Sequence, residues 1–135
     1  MPHRLLLVED DPAVRRSLAE TLTEEGLDVH VAESAEQALA TIDTVRPDVV
    51  LSDIRMSGMD GVQLLELLRE RMPEVDVLLM TAYDDMPTIV RAMREGASDF
   101  LVKPIKLSER RIGWPARDVK KWLAELDKKR QPHLV

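Results

Sequence analysis

The sequence predicts a doubly wound α/β domain, and three observations carry that prediction. Short continuous apolar runs recur at residues 5–8, 49–51, 77–80 and 100–102. Such runs read as strands buried on both faces, as in a parallel sheet. Between them lie stretches whose apolar residues recur at helical spacing. The two kinds of segment alternate in strict order, and with right-handed crossovers that order leads to a parallel sheet with helices on both faces.

Each element has its local reason. The run at 5–8 ends at Glu9-Asp10-Asp11, where Asp11 reads as an N-cap and Pro12 as a first-turn residue. Val14, Leu18 and Leu22 then form one helical stripe, closed by Gly26. Leu27, Val29 and Val31 alternate as a second strand. Ser34 with Gln37 signals a capping box, and Ala35, Ala38, Leu39 and Ile42 give the second helix its apolar face before Pro47. Residues 49–52 form the third strand, and a loop with Gly58 and Gly61 follows. Asp60 caps a third helix carrying Val62, Leu64, Leu65, Leu67 and Leu68 as far as Pro73. Residues 75–80 form a fourth strand ending at Thr81-Ala82. A fourth helix starts near Asp85-Met86-Pro87, with Ile89, Val90 and Met93 as its apolar positions and Gly96 as its stop. Residues 100–102 form the fifth strand, ending at Lys103-Pro104.

The regularity then fails. A fifth helix is due near Ser108, but Arg110 and Arg111 fall where apolar residues are wanted, and Gly113-Trp114-Pro115 interrupts any helix. A new amphipathic stretch over 116–129 carries Val119, Trp122, Leu123 and Leu126 on one stripe. It either docks as a late, atypical fifth helix or packs on a partner chain. The expected organisation is a single domain over residues 1–130, with a regular core at 4–106, an atypical segment at 107–130 and a tail at 131–135.

Composition narrows the function classes. With 135 residues and 44% hydrophobic content the chain is globular, and with 3% aromatics its core must be aliphatic. The absence of cysteine excludes thiolate metal sites and suits a reducing compartment. No apolar run is long enough for a signal peptide or membrane span, so a cytoplasmic protein without membrane contact is expected. Residues 1–105 carry 21 acidic and 10 basic side chains and residues 106–135 carry 4 and 9, charges of −11 and +5. So acidic a body disfavours direct nucleic-acid binding, and the basic end reads as solvated helix charge.

The chemistry collects at the carboxyl ends of the strands: Glu9 and Asp10, Asp53, Thr81 and Lys103. In a flavodoxin-like sheet of order 2-1-3-4-5 the first and third strands are neighbours at the switch point, where open α/β sheets bind ligands. Glu9, Asp10 and Asp53 then converge, and three ionised carboxylates share a small site only around a cation. Oxygen donors without His or Cys favour a hard ion, Mg²⁺. Thr81 offers a hydroxyl and Lys103 a point charge for phosphoryl oxygens. Taken singly, Thr81 reads as a turn residue and Lys103 as a surface lysine; their convergence on three carboxylates makes a phosphoryl-transfer site with Asp53 as nucleophile.

These residues carry a resemblance. Leu7-Val8-Glu9-Asp10-Asp11, the stretch from Asp48 through Ser52-Asp53-Ile54-Arg55-Met56-Ser57-Gly58-Met59-Asp60-Gly61, Thr81-Ala82 and Asp99-Phe100-Leu101-Val102-Lys103-Pro104 resemble the response-regulator receiver domains of bacterial two-component signalling. The match spans roughly residues 4–106. The segment 80–88 looks most like receivers of nitrogen-regulation-type transcriptional activators, which carry an ATPase and a DNA-binding domain downstream; this chain is then a stand-alone receiver or a fragment. The resemblance implies that Asp53 accepts a phosphoryl group from a sensor histidine kinase. It also implies that Glu9, Asp10, Asp53 and the backbone carbonyl of Arg55 hold Mg²⁺, and that Thr81 and Lys103 hold the phosphoryl oxygens. Phe100 takes the place of the switch aromatic, and the Lys103–Pro104 bond that of a cis peptide.

Two departures stand out. Ser57 replaces the family's usual proline, which is expected to loosen the loop. The segment 108–115 breaks the fifth helix, part of the face through which receivers reach an output domain, a partner protein or a second copy in a homodimer. Two other functions compete with this reading. A receiver acting by protein contact without phosphorylation leaves the intact site unused. A metal-dependent phosphatase needs a second acid two residues after the nucleophile, where Arg55 stands, and a cap that no insertion supplies.

Overall fold

The computed structural model describes residues 3–81, 86–102, 106–108, 111–112 and 124. The chain divides into two compact units, Met1–Lys103 and Pro104–Val135. The first holds five parallel strands, β1 (Arg4–Val8), β2 (Asp28–Ala32), β3 (Val49–Asp53), β4 (Asp76–Thr81) and β5 (Asp99–Val102), in the order β2-β1-β3-β4-β5. Four helices connect them: α1 (Pro12–Glu24), α2 (Ala35–Val45), α3 (Gly61–Arg71) and α4 (Met86–Arg94). The predicted fold class and strand order are those observed.

The central strands are apolar because both of their faces are covered. Every residue of β3 is buried, as are Leu5 to Val8 of β1. Leu6, Val8, Val50, Val77 and Leu79 join Ala35, Ala38 and Ile42 of α2 and Val62, Leu64, Leu65 and Leu68 of α3 in one buried cluster. Leu5, Leu7, Leu51 and Leu78 alternate with these along the strands and so line the other face.

The helix ends are fixed as the sequence suggests. The Asp11 side chain accepts from the amides of Ala13 and Val14, with Pro12 in the first turn. Asp60 and Gln63 form a reciprocal capping box on α3. The expected box on α2 is only half formed. Ser34 accepts from the Gln37 amide, but the Gln37 side chain accepts from Glu33 N–H, one residue earlier.

Two apolar faces differ from expectation. Val31 is 50% exposed, and Ala32 is the buried residue of β2, because β2 is an edge strand with only β1 beside it. Among the described side chains of α4 the buried residues are Ile89 and Ala92, a spacing of three, while Val90 and Met93 are 46% and 39% exposed. The core side of that helix is therefore turned from the one that hydropathy favours.

The edge of the sheet is braced by charge. Arg4 donates to Asp28 Oδ2 at 3.2 Å and to the Val45 carbonyl at 2.9 Å. The Arg4 bond holds the Asp28 carboxyl below its usual range.

The second unit contains β6 (Lys106–Ser108) and β7 (Arg111–Ile112), an antiparallel pair. A strand pair thus stands where the interrupted helix was expected to begin. The stretch 116–129, with Val119, Trp122, Leu123 and Leu126, lies outside the described residues.

Candidate functional site

Register brings the acidic residues together. Val8 of β1 lies beside Ser52 of β3, so the next residues, Glu9 and Asp53, leave adjacent strands side by side. Asp53 pairs with Met80, which puts Thr81 one step further along β4, opposite Val102 of β5. Glu9, Asp53 and Thr81 are all buried, at 0%, 4% and 1% exposure; Asp10 is the most open of the acidic three.

One carboxylate oxygen from each of Glu9, Asp10 and Asp53 lies within 4.8 Å of the other two. An octahedral Mg²⁺ with oxygens at about 2.1 Å sets neighbouring ligands roughly 3 Å apart and opposite ones roughly 4.2 Å apart. The cluster's spacing is of the order such an ion requires, and its donor set is all oxygen, as a hard cation requires. The residues present fit the metal.

The loop after β3 is tied to this cluster through its backbone. Arg55 N–H donates to Asp53 Oδ1 at 3.2 Å, and Ser57 N–H donates to Asp10 Oδ2 at 3.2 Å. Met59 N–H donates to Glu36 Oε1, from the first turn of α2, at 3.0 Å. The expectation that Ser57 loosens the loop thus meets a bond that a proline there, having no N–H, would not make. On the other side of the cluster, Asp11 N–H donates to Glu9 Oε2 at 3.3 Å and Arg15 donates to the Glu9 carbonyl at 2.9 Å.

Two glycines serve the loop in different ways. Gly58 has φ of +79°, the left-handed region that favours glycine, and a Cβ there would lie 3.2 Å from Glu36 Oε2. Gly61 has no unusual φ. Its N–H bonds to the Ile54 carbonyl at 2.8 Å, and a Cβ would collide with the Asp53 carbonyl oxygen and stand 2.9 Å from Ile54 Cα. The sequence marked Gly61 only as a place where irregular backbone is cheap; its actual task is to let α3 start against the backbone of Asp53.

Of the expected site residues, the structure gathers Glu9, Asp10 and Asp53 and places Thr81 at the adjacent strand end. Phe100 is half-buried on β5 and packs against the core cluster. Lys103, Pro104 and the bond between them lie outside the described residues. Glu36 was missed. Its only sequence signal is an acidic residue in a helical first turn, which usually means a favourable helix dipole and nothing more.

A family model described as "Response regulator receiver domain" matches residues 5–111. The chain is 48% identical over 106 residues to the response regulator protein FleR of Pseudomonas aeruginosa, covering 78% of this chain and 22% of that one. It is 43% identical over 103 residues to the DNA-binding transcriptional regulator NtrC of Klebsiella pneumoniae, covering 76% and 22%. The chain spans about a fifth of the length of these curated relatives. Among solved structures, the receiver domain of NtrX from Brucella abortus superposes with a TM-score of 0.76 at 30% identity, covering 94% of this chain and 99% of that one. No helix among the described residues is long and apolar enough to cross a membrane. The strand-end carboxylates thus sit in a fold and a sequence context that agree, and the chain belongs to the response-regulator receiver family.

Proposed function

We propose that the domain is a phosphorylation switch in which Asp53 takes a phosphoryl group from a phosphohistidine of a sensor kinase in a Mg²⁺-dependent reaction. The observation that carries this reading is the gathering of Glu9, Asp10 and buried Asp53 with carboxylate oxygens within 4.8 Å of one another. An Asp53 carboxylate oxygen attacks phosphorus as the P–N bond breaks. The electron pair goes to the kinase imidazole, which takes up a proton, and an acyl phosphate forms on Asp53.

Glu9, Asp10, Asp53 and the Arg55 carbonyl are the groups that would hold the ion. Mg²⁺, when bound, offsets the carboxylate charge and polarises the phosphoryl oxygens. Thr81, from the end of β4, offers its hydroxyl to one phosphoryl oxygen, and Lys103 offers its ammonium to another. Movement of Thr81 toward the phosphoryl group, with Phe100 turning inward, biases the surface that includes α4 and β5. That surface regulates an output domain or partner protein, in some cases through a homodimer. The NtrC relative, a DNA-binding transcriptional regulator, makes transcription the expected output, while the acidic body argues against direct nucleic-acid contact by this chain. Such a module works in the cytoplasm and turns over no substrate beyond its own acyl phosphate.

Intact mass after incubation with acetyl phosphate and Mg²⁺ tests this reading. Wild type is expected to gain about 80 Da, the mass of a phosphoryl group replacing a proton, and Asp53→Asn to gain nothing. A gain in Asp53→Asn, or none in wild type, removes Asp53 as the acceptor. Sizing of the phosphorylated protein then reports whether a homodimer forms.

A further inference from the structure

The amides of residues 55, 57 and 59 donate in turn to three carboxylates from three parts of the fold: Asp53, Asp10 and Glu36. The first two belong to the acidic cluster. Glu36 does not; it reaches the same loop from the first turn of α2. We infer that Glu36 is a positioning residue for the metal-binding cluster, holding the 54–60 loop so that Asp10 and Asp53 stay at ligand spacing. This rests on the Mg²⁺-dependent reading above.

Three observations carry the inference. Glu36 Oε1 accepts from Met59 N–H at 3.0 Å. Both carboxylate oxygens lie 3.2–3.3 Å from where a Cβ on Gly58 would be, so the group rests against the loop backbone itself. Two residues before Met59, the same loop holds Asp10 through the Ser57 amide. A shift of the loop at Met59 is therefore passed to Asp10 within two peptide units. An acidic residue serving only the α2 dipole would need no loop amide.

The distinguishing experiment is calorimetric titration of Mg²⁺ into wild type, Glu36→Gln and Glu36→Ala at fixed ionic strength, with amide hydrogen exchange of Ser57 and Met59 in the metal-free proteins. Glu36→Gln keeps an acceptor oxygen and loses the charge, so its affinity is expected within about twofold of wild type. Glu36→Ala loses the acceptor and is expected to bind about fivefold more weakly, short of the ten- to hundredfold seen when a group bonded directly to a metal ligand is removed. Faster exchange at Met59 and Ser57 accompanies it. Wild-type affinity in Glu36→Ala overturns the inference. So does an equal loss in both variants, which would mark long-range charge in place of a bond. If wild type takes up no Mg²⁺, the metal reading falls by itself; unchanged exchange at Met59 in Glu36→Ala then overturns the tether as well.

Discussion

Gly61→Ala is expected to cost about 2–3 kcal/mol of stability and to abolish phosphoryl uptake at Asp53, an outsized effect for one methyl group. The added Cβ meets backbone, the Asp53 carbonyl oxygen and Ile54 Cα, and neither can swing aside as a side chain can. Relief requires α3 to retreat or the end of β3 to shift. The first lengthens the 2.8 Å bond from Gly61 N–H to the Ile54 carbonyl and disturbs the packing of Val62, Leu64 and Leu65. The second moves Asp53, the proposed phosphoacceptor, itself. Gly58→Ala provides the contrast: it is strained by its positive φ, but the atoms nearest its new Cβ belong to the end of the Glu36 side chain. Urea unfolding and intact mass after acetyl phosphate treatment check both variants. A wild-type midpoint together with normal phosphorylation in Gly61→Ala would remove the close approach as a constraint.

Mg²⁺ at about a hundred times its Kd is expected to stabilise the folded protein by about 2.7 kcal/mol, because on the proposed reading the ion binds a cluster that the unfolded chain does not assemble. For a domain of this size that is a rise in Tm of roughly 10 °C or more. Chelation should return the original value. Asp10→Asn separates the two roles of the cluster. Its side-chain oxygen still accepts from Ser57 N–H, while one of three like charges is gone. The metal-free variant is therefore expected to melt above metal-free wild type and to gain much less from Mg²⁺. Thermal melts with Mg²⁺ and with EDTA decide it: equal Mg²⁺ shifts in the two proteins would show that the ion binds without Asp10.

Most of the fold was legible because burial on both faces leaves a plain mark on a strand, an unbroken apolar run such as Val49-Val50-Leu51. Topology then did what no local signal does. Placing the first and third strands side by side was enough to predict that Glu9, Asp10 and Asp53 meet. What stayed hidden depends on direction in space. Val90 and Ile89 are equally apolar neighbours, and hydropathy does not say which of them faces the core. Glu36 is separated from Met59 by 23 residues and looks like any surface acid of a helix. The role of Gly61 depends on how near α3 comes to β3, a distance set by packing. At Arg110-Arg111 the sequence told that a helix fails without telling that a short strand pair, Lys106–Ser108 with Arg111–Ile112, stands there.

The loop after β3 donates from residues 55, 57 and 59, a period of two. Surface connections in most proteins tolerate added or lost residues, since only their ends are fixed. A segment read at alternate amides has a phase as well as two ends. One residue inserted between Arg55 and Met59 would turn the amides beyond it away from Asp10 and Glu36, much as a one-residue slip turns a strand inside out. Substitution of side chains such as Ser57 leaves that phase intact, so in this loop the count of residues is constrained more tightly than their identity.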